Sequence, residues 1–532
     1  MCQNSGTNQW WKLSPDINGN YVSGTWSALA NGPNAPLYFA SAVLRDGRVF
    51  VAGGEYNNSV TADLLAAEIY NPVTNTWTVV ATPPGWTGIG DAPCCVLPDG
   101  RVMVGYIFDS RCAIYDPVVN IWTAAANKLD ASSSEESWTL LPDQTIMTVD
   151  CPGHPATQKY VIAANQWISC GNTPFDLVEA ASIEIGPAVL LPDGRIFAIG
   201  ATNHSALYTM PPNSNQPGTW TNGPTFPLPA GVAALGAKDA PACLLPNGLV
   251  LCVAGPVDGV SGDYLSPTYF FEFNPSTNSL SPITNPPTSA GPPYVGRFVL
   301  LPTGQVLFAN GSSNIQVYTP SGAPDPMWKP NITSVPTSLI RGSTYTLYGR
   351  QINGLSQAVS YGDDATMATN YPIVNLRNAA SGHVFYCRTL NHSTLSVNTG
   401  TVIHHTQFVL PASAELGAAD ITVIANGIAS NPVRVTVSLI KKVEIKELKI
   451  EIKEIKELKE IETAQAPIGG QTSGIDPDLV AVIRMLAERA DQAAAEVENG
   501  KQPFIQLADR PAVGEAAIGP LLPPSNPNKR RQ

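Results

Sequence analysis

The sequence predicts an all-β chain: a six- or seven-bladed β-propeller, then an immunoglobulin-like β-sandwich, with a helical C-terminal tail. Three observations predict it. A strand–turn–strand unit recurs six times, at Leu44, Leu97, Leu141, Leu191, Leu245 and Leu301, with spacings of 44 to 56 residues. A period near 50 with this content marks propeller blades. Gly (44) and Pro (48) are abundant, as many short strands and tight turns require. Charged residues are only 14% of the chain, below the usual quarter, yet 441–462 is mostly Lys and Glu, which marks a boundary.

The repeats occupy residues 1–328. They read AVLRDGRVFVAGG, CVLPDGRVMVG, TLLPDQTIMTV, VLLPDGRIFAIG, CLLPNGLVLCVAG and VLLPTGQVLFANG. Pro presets the first turn position, Asp or Asn caps the turn, and Gly takes the positive φ. An aromatic–turn–Trp element follows in most: Tyr70 with Trp77, Tyr115 with Trp122, Tyr160 with Trp167 and Tyr208 with Trp220. Such bulk fills the wide outer part of a wedge-shaped blade. Trp10 to Trp26 resembles the outer half of a blade that has no inner half before it. An N-terminal strand that completes the last blade removes exposed edges, so residues 8–28 are expected to pair with the Leu301 repeat.

Residues 329–440 change to alternating strands such as SLIRGSTYTLYGRQI, GHVFYCRTL and ADITVIANGIAS, the pattern of an immunoglobulin-like sandwich. Residues 441–474 read as a Lys/Glu-rich helical spacer and linker held by i,i+3 and i,i+4 pairs. Residues 475–532 read as a helix, capped by Asp476 and Pro477 and ended by Gly500, followed by a Pro/Ala-rich tail. The stripe Leu479, Ile483, Leu486, Ala490, Ala493 and Val497 suits a homo-oligomer seam or a face packed on the chain's own body.

A net charge of −12 argues against nucleic acid as a partner, because counterion release needs a basic face. No apolar run has the length of a transmembrane segment. The start, MCQNSGTNQWWKL, has neither the basic nor the apolar region of a signal peptide; extracellular and cytoplasmic settings both stay open. The nine cysteines include no CxxC pair, and Cys243 and Cys252, in apolar runs, read as buried inert thiols.

One register position carries the candidate ligand-binding site. Six or seven residues before each reference leucine stand Tyr38, Asp91, Glu135, Glu184, Asp239 and Tyr294. This position should open at the mouth of the propeller channel, and four of its six residues are acidic. Close carboxylates repel, so something must offset them. Three readings stay open: a bound cation such as Ca²⁺, or a cationic or polyhydroxylated ligand; acids that cap turns between blades; and a carboxylate pair for hydrolysis. A carbohydrate or a protein would suit as the ligand.

Residues 25–438 resemble the galactose oxidase-like kelch proteins, which join a kelch propeller to a C-terminal early-set sandwich. LYFASAVLRDGRVFVAGGEY, VLLPTGQVLFANG, AVSYGDDATMATNYPIVNL and ITVIANGIASNPVRVTV carry the resemblance, and the sandwich motifs look like the bacterial early-set type. The oxidases of that family hold copper with two tyrosines and two histidines, one tyrosine being bonded to a cysteine. The resemblance places the tyrosines at Tyr38 and Tyr294, but Val295 and Thr366-Met367 stand where the histidines should. No cysteine precedes Tyr38 except Cys2. Copper is therefore not the expected cofactor, since the imidazoles it prefers are missing. The other histidines, among them His383, His392 and His404-His405, read as surface or structural. The expected function is non-catalytic ligand binding or scaffolding through the acidic mouth, with assembly through the tail. The alternative is a copper-radical or other carbohydrate-active enzyme on the same plan.

Overall fold

The computed structural model describes residues 1–130, 132–357, 360–361, 365–366 and 371–439. The predicted spacer and helix at 441–532 lie outside the described residues. Every regular element among those described is a strand or a short 3-10 turn, and no described helix is long and apolar enough to cross a membrane.

Each of the six repeats forms its own antiparallel sheet. In the first, Ala40–Val43 pairs with Val49–Ala52, which pairs with Ala67–Asn71, then Thr76–Val79. The turn chemistry read from sequence is the chemistry found. Leu44 donates its N–H to Arg48 O at 2.8 Å and accepts from Gly47 N–H at 2.9 Å, and the same two bonds close the turns at Leu97, Leu141, Leu191, Leu245 and Leu301. Gly47 has φ +82; the third repeat, which lacks the glycine, holds Gln144 at φ 63.

The outer strands are joined by a device that also repeats. Asn75, Asn120 and Asn165 sit at φ 53, 56 and 48 in the outer turns. Each side-chain oxygen accepts from the tyrosine hydroxyl of its own sheet and from a backbone N–H of the segment before it: Asn75 from Tyr70 and Ala30, Asn120 from Tyr115 and Ala81, Asn165 from Tyr160 and Ala126. The indoles of Trp77, Trp122 and Trp167 donate to the carbonyls of those same three alanines.

The inner strands Ala40–Val43, Cys94–Val96, Thr139–Leu140, Ala188–Leu190, Ala242–Leu244 and Arg297–Leu300 stand side by side in chain order. The Arg297 guanidinium lies 6.0 Å from the centre of the Tyr38 ring, which brings the last repeat to the first. One expectation is corrected. Residues 8–28 do not pair with the Leu301 repeat among the described ladders: Trp10–Ser14 pairs with Cys2–Gln3 and Thr25–Ala28 in a separate three-stranded sheet. Trp10 decides this. Its ring is buried against Phe39 and Trp77 of the first repeat, at 5.8 and 4.9 Å, and Ala30 serves that repeat as Ala81 serves the second.

Residues 331–438 form a nine-stranded sheet. Val384–Leu390 pairs with Ile373–Asn378 through one part of its length and with Ile403–Val409 through another. The two halves close on a core that includes Leu347, Phe408, Val374, Leu376, Ile421 and Val423. This sheet meets the turn end of the blades. Leu395 N–H donates to Pro98 O at 2.9 Å, and its side chain is buried with Leu44, Phe50 and Val96. A hairpin, Ser360–Tyr361 with Ala365–Thr366, lies against the inner strands of the fourth and first repeats. The pre-strand residues, expected at the channel mouth, stand at the end of the inner strands away from these turns.

Candidate functional site

The mouth residues sit on the loops that enter the inner strands, and several are held in backbone conformations that side chains resist. Tyr38, Glu135 and Asp239 have φ of 54, 63 and 47, a region that costs a non-glycine residue about 1 kcal/mol or more. All four acids are buried: Asp91 is 0% exposed, Glu135 1%, Glu184 3% and Asp239 5%. Tyr38 and Tyr294 are half-buried.

Closure of the ring brings three of these acids together. Glu135, Glu184 and Asp239, from the third, fourth and fifth repeats, each offer one carboxylate oxygen, and these oxygens all lie within 4.8 Å of one another. Asp91 is buried at the same register but is not part of this group. Tyr294 joins it indirectly: its ring is 4.6 Å from that of Tyr264, whose hydroxyl lies 2.8 Å from Glu184 Oε1 and 2.5 Å from Asp239 Oδ2. Arg297 donates to Tyr294 O at 2.5 Å and stands over the Tyr38 ring, so it links the two tyrosines.

The electrostatics follow from burial. Glu184 is held well above the usual carboxylate range, first because its charge would lose water and then because Asp239 is beside it. The Tyr264 hydroxyl, with one proton, lies within hydrogen-bond distance of both acids. The nearby cation acts on Glu184 but bonds elsewhere. Lys238 Nζ bonds Glu179 Oε2 at 2.5 Å and Gly262 O at 2.6 Å, and sits 4.3 Å from the centre of the Tyr264 ring. Behind the mouth, Glu136 faces inward to Lys128 and accepts from Trp138 Nε1 at 3.0 Å and Thr148 Oγ1 at 3.2 Å.

Sequence reasoning missed Tyr264, Lys238 and Arg297. A signal existed for Lys238. Residues 1–439 contain only five lysines, and Lys238 falls inside the apolar run GVAALGAKDAPACLL, where a cation must find a buried partner. Tyr264 gave none, since it lies on an irregular loop outside the repeat register.

The three converging carboxylates offer hard oxygen donors. Each of the six histidines has a partner elsewhere: His154 with Asp176, His204 on Phe175, His383 with Glu415, His392 with Thr406, His404 with Ser393 and His405 against Tyr348. The group that converges at the trio is three carboxylates with the Tyr264 hydroxyl beside them, whereas Cu(II) favours imidazole.

Comparison with known proteins agrees on the repeat. A Kelch motif matches residues 36–84. No curated protein matches the chain. Among solved structures, a fungal alcohol oxidase of the AA5 family in complex with copper is similar at 14% identity and a TM-score of 0.45, covering 81% of this chain and 94% of its own. A streptogramin B lyase is similar at 13% identity and a TM-score of 0.36, covering 59% and 88%. The Kelch motif in the first repeat and the chain's own six repeat sheets together support a kelch-type β-propeller fold.

Proposed function

We propose that the chain is a non-catalytic binding protein whose propeller mouth holds a divalent cation such as Ca²⁺ and presents it, with the tyrosine rim, to a carbohydrate or protein ligand. The observation that carries this is the convergence of Glu135, Glu184 and Asp239. Three oxygen donors from three blades, with the Tyr264 hydroxyl beside them, suit a cation that takes oxygen ligands in flexible geometry. Such a cation would offset the mutual repulsion of Glu184 and Asp239. Residues 329–440 read, in this proposal, as an early-set immunoglobulin-like domain of the bacterial type, and 441–532 as an assembly segment.

Calcium alone is the probe. The melting temperature of the full chain should rise by a few degrees as Ca²⁺ is raised to about a hundredfold its Kd, equivalent to about 2.7 kcal/mol. Glu184→Gln combined with Asp239→Asn should abolish the rise. A wild-type protein indifferent to millimolar Ca²⁺ would sink the reading.

The closeness of Glu184 and Asp239, bridged by Tyr264, favours a second reading, a carboxylate acid/base pair for glycoside hydrolysis. Release of nitrophenol from aryl glycosides, lost in Glu184→Gln, would support it; no release from a panel of such glycosides would remove it.

A further inference from the structure

We propose that His392 is an acid-sensitive latch on the joint between the propeller and the C-terminal sheet, and that protonation of its buried Nε2 releases the 391–398 segment from the blade turns. That segment is a wedge. Leu395 is buried in the core of the first two blades, and Val397 in the larger core that runs through the remaining blades. Thr394 Oγ1 donates to Pro98 O at 3.3 Å, and Asn353 Nδ2 holds Thr394 O at 2.7 Å.

His392 stands at the base of the wedge. It is 1% exposed. Its N–H donates to Arg45 O at 3.4 Å, and Arg45 Nε donates back to its carbonyl, so its backbone is clasped by the first blade's turn. In this proposal Nδ1 carries the proton of the neutral ring. Thr406 Oγ1 donates to Gln407 O at 3.1 Å, which leaves its oxygen to accept from His392 Nδ1 at 2.9 Å. Nε2 then carries the lone pair, and among the described residues it has no hydrogen-bond partner.

Adding a proton there creates a buried donor with nothing to receive it, next to charges mostly of its own sign. Arg45 and Asp46 face the imidazole from the blade turn, where Arg388 also stands over Gly47; His405 acts on it from the strand Ile403–Val409, and the Tyr371 ring lies 6.2 Å away. Asp46 alone opposes the effect, and it is engaged with Arg48 at 2.7 Å. Burial, with Arg45 second, brings the His392 imidazole down to about 4. The sign is definite: the released segment takes the proton near the ordinary 6.5, so the joint is firm above that pH and weakens as pH falls towards 4.

The test is hydrogen exchange on the full chain at pH 7.0 and 4.5, corrected for the intrinsic rate. Peptides over 391–398 and 94–98 should lose protection roughly 50-fold more than peptides over Val250–Pro256 in the fifth blade. His392→Gln, which cannot take the proton, should lose most of that difference. Equal loss in both regions, or the same selective loss in the variant, overturns the proposal. If the variant does not fold, the wild-type curve decides: the loss must follow a single proton, starting near pH 6.5 and flattening near 4, and a steeper or more acidic transition overturns it.

Discussion

At the propeller's acidic trio, the Tyr264 hydroxyl stands between Glu184 and Asp239, and burial with Asp239 alongside holds Glu184 above the usual carboxylate range. A residue-scale prediction follows from the raised Glu184. Its charge is resisted in the folded state, so the group costs stability as pH rises above its unfolded value. Glu184→Gln, which mimics the protonated form, should melt higher than wild type without Ca²⁺, and the gap should widen from pH 5 to pH 8. A gap that narrows would show that the carboxylate is favoured as an anion. Lys128 behaves oppositely. It is fully buried with Glu136 and Asp150, so Lys128→Met leaves those acids uncompensated and should cost about 3–5 kcal/mol in urea unfolding. The apolar register did not reveal this pair, because Glu135 and Glu136 are adjacent in sequence yet serve different networks.

At the scale of the element, the sequence showed that each outer hairpin carries a tyrosine and a tryptophan, but not why the asparagine between them matters. Asn75, Asn120 and Asn165 each adopt a left-handed conformation and bond two groups at once. Asn120→Ala should therefore lose about 1–3 kcal/mol, from two hydrogen bonds and a conformation that alanine resists. Asn120→Gly keeps the conformation and should lose less. Equal losses would mean that the backbone conformation contributes nothing. The fourth repeat departs from the pattern: the Trp220 indole donates to Thr157 Oγ1 of the preceding sheet at 2.9 Å. The inner turns were fully legible, because a Leu–x–Asp–Gly turn is determined by four neighbouring residues.

For the whole molecule, closure is what turns a register position into a site. The acids lie about 50 residues apart in sequence and meet because inner strands pack in a ring. The proposed role of the tail is tested at this scale. A chain ending at residue 440 should show a smaller number of copies per particle by light scattering than the full chain; the same number would leave the tail without a role in assembly.

By itself, the sequence determined the number of repeats, the turn that closes each one, and the end of each blade at which the acids stand. These depend on local chemistry: φ preferences, short-range hydrogen bonds and alternating burial. Only the tertiary structure decided that Glu135, Glu184 and Asp239 meet while Asp91 stands apart, that Tyr264 bridges two of them, and that the N-terminal sheet pairs with itself. Those outcomes depend on how far each loop reaches and on which face a ring of wedges leaves open. Such distances arise from packing among residues remote in the chain, and no local pattern encodes them.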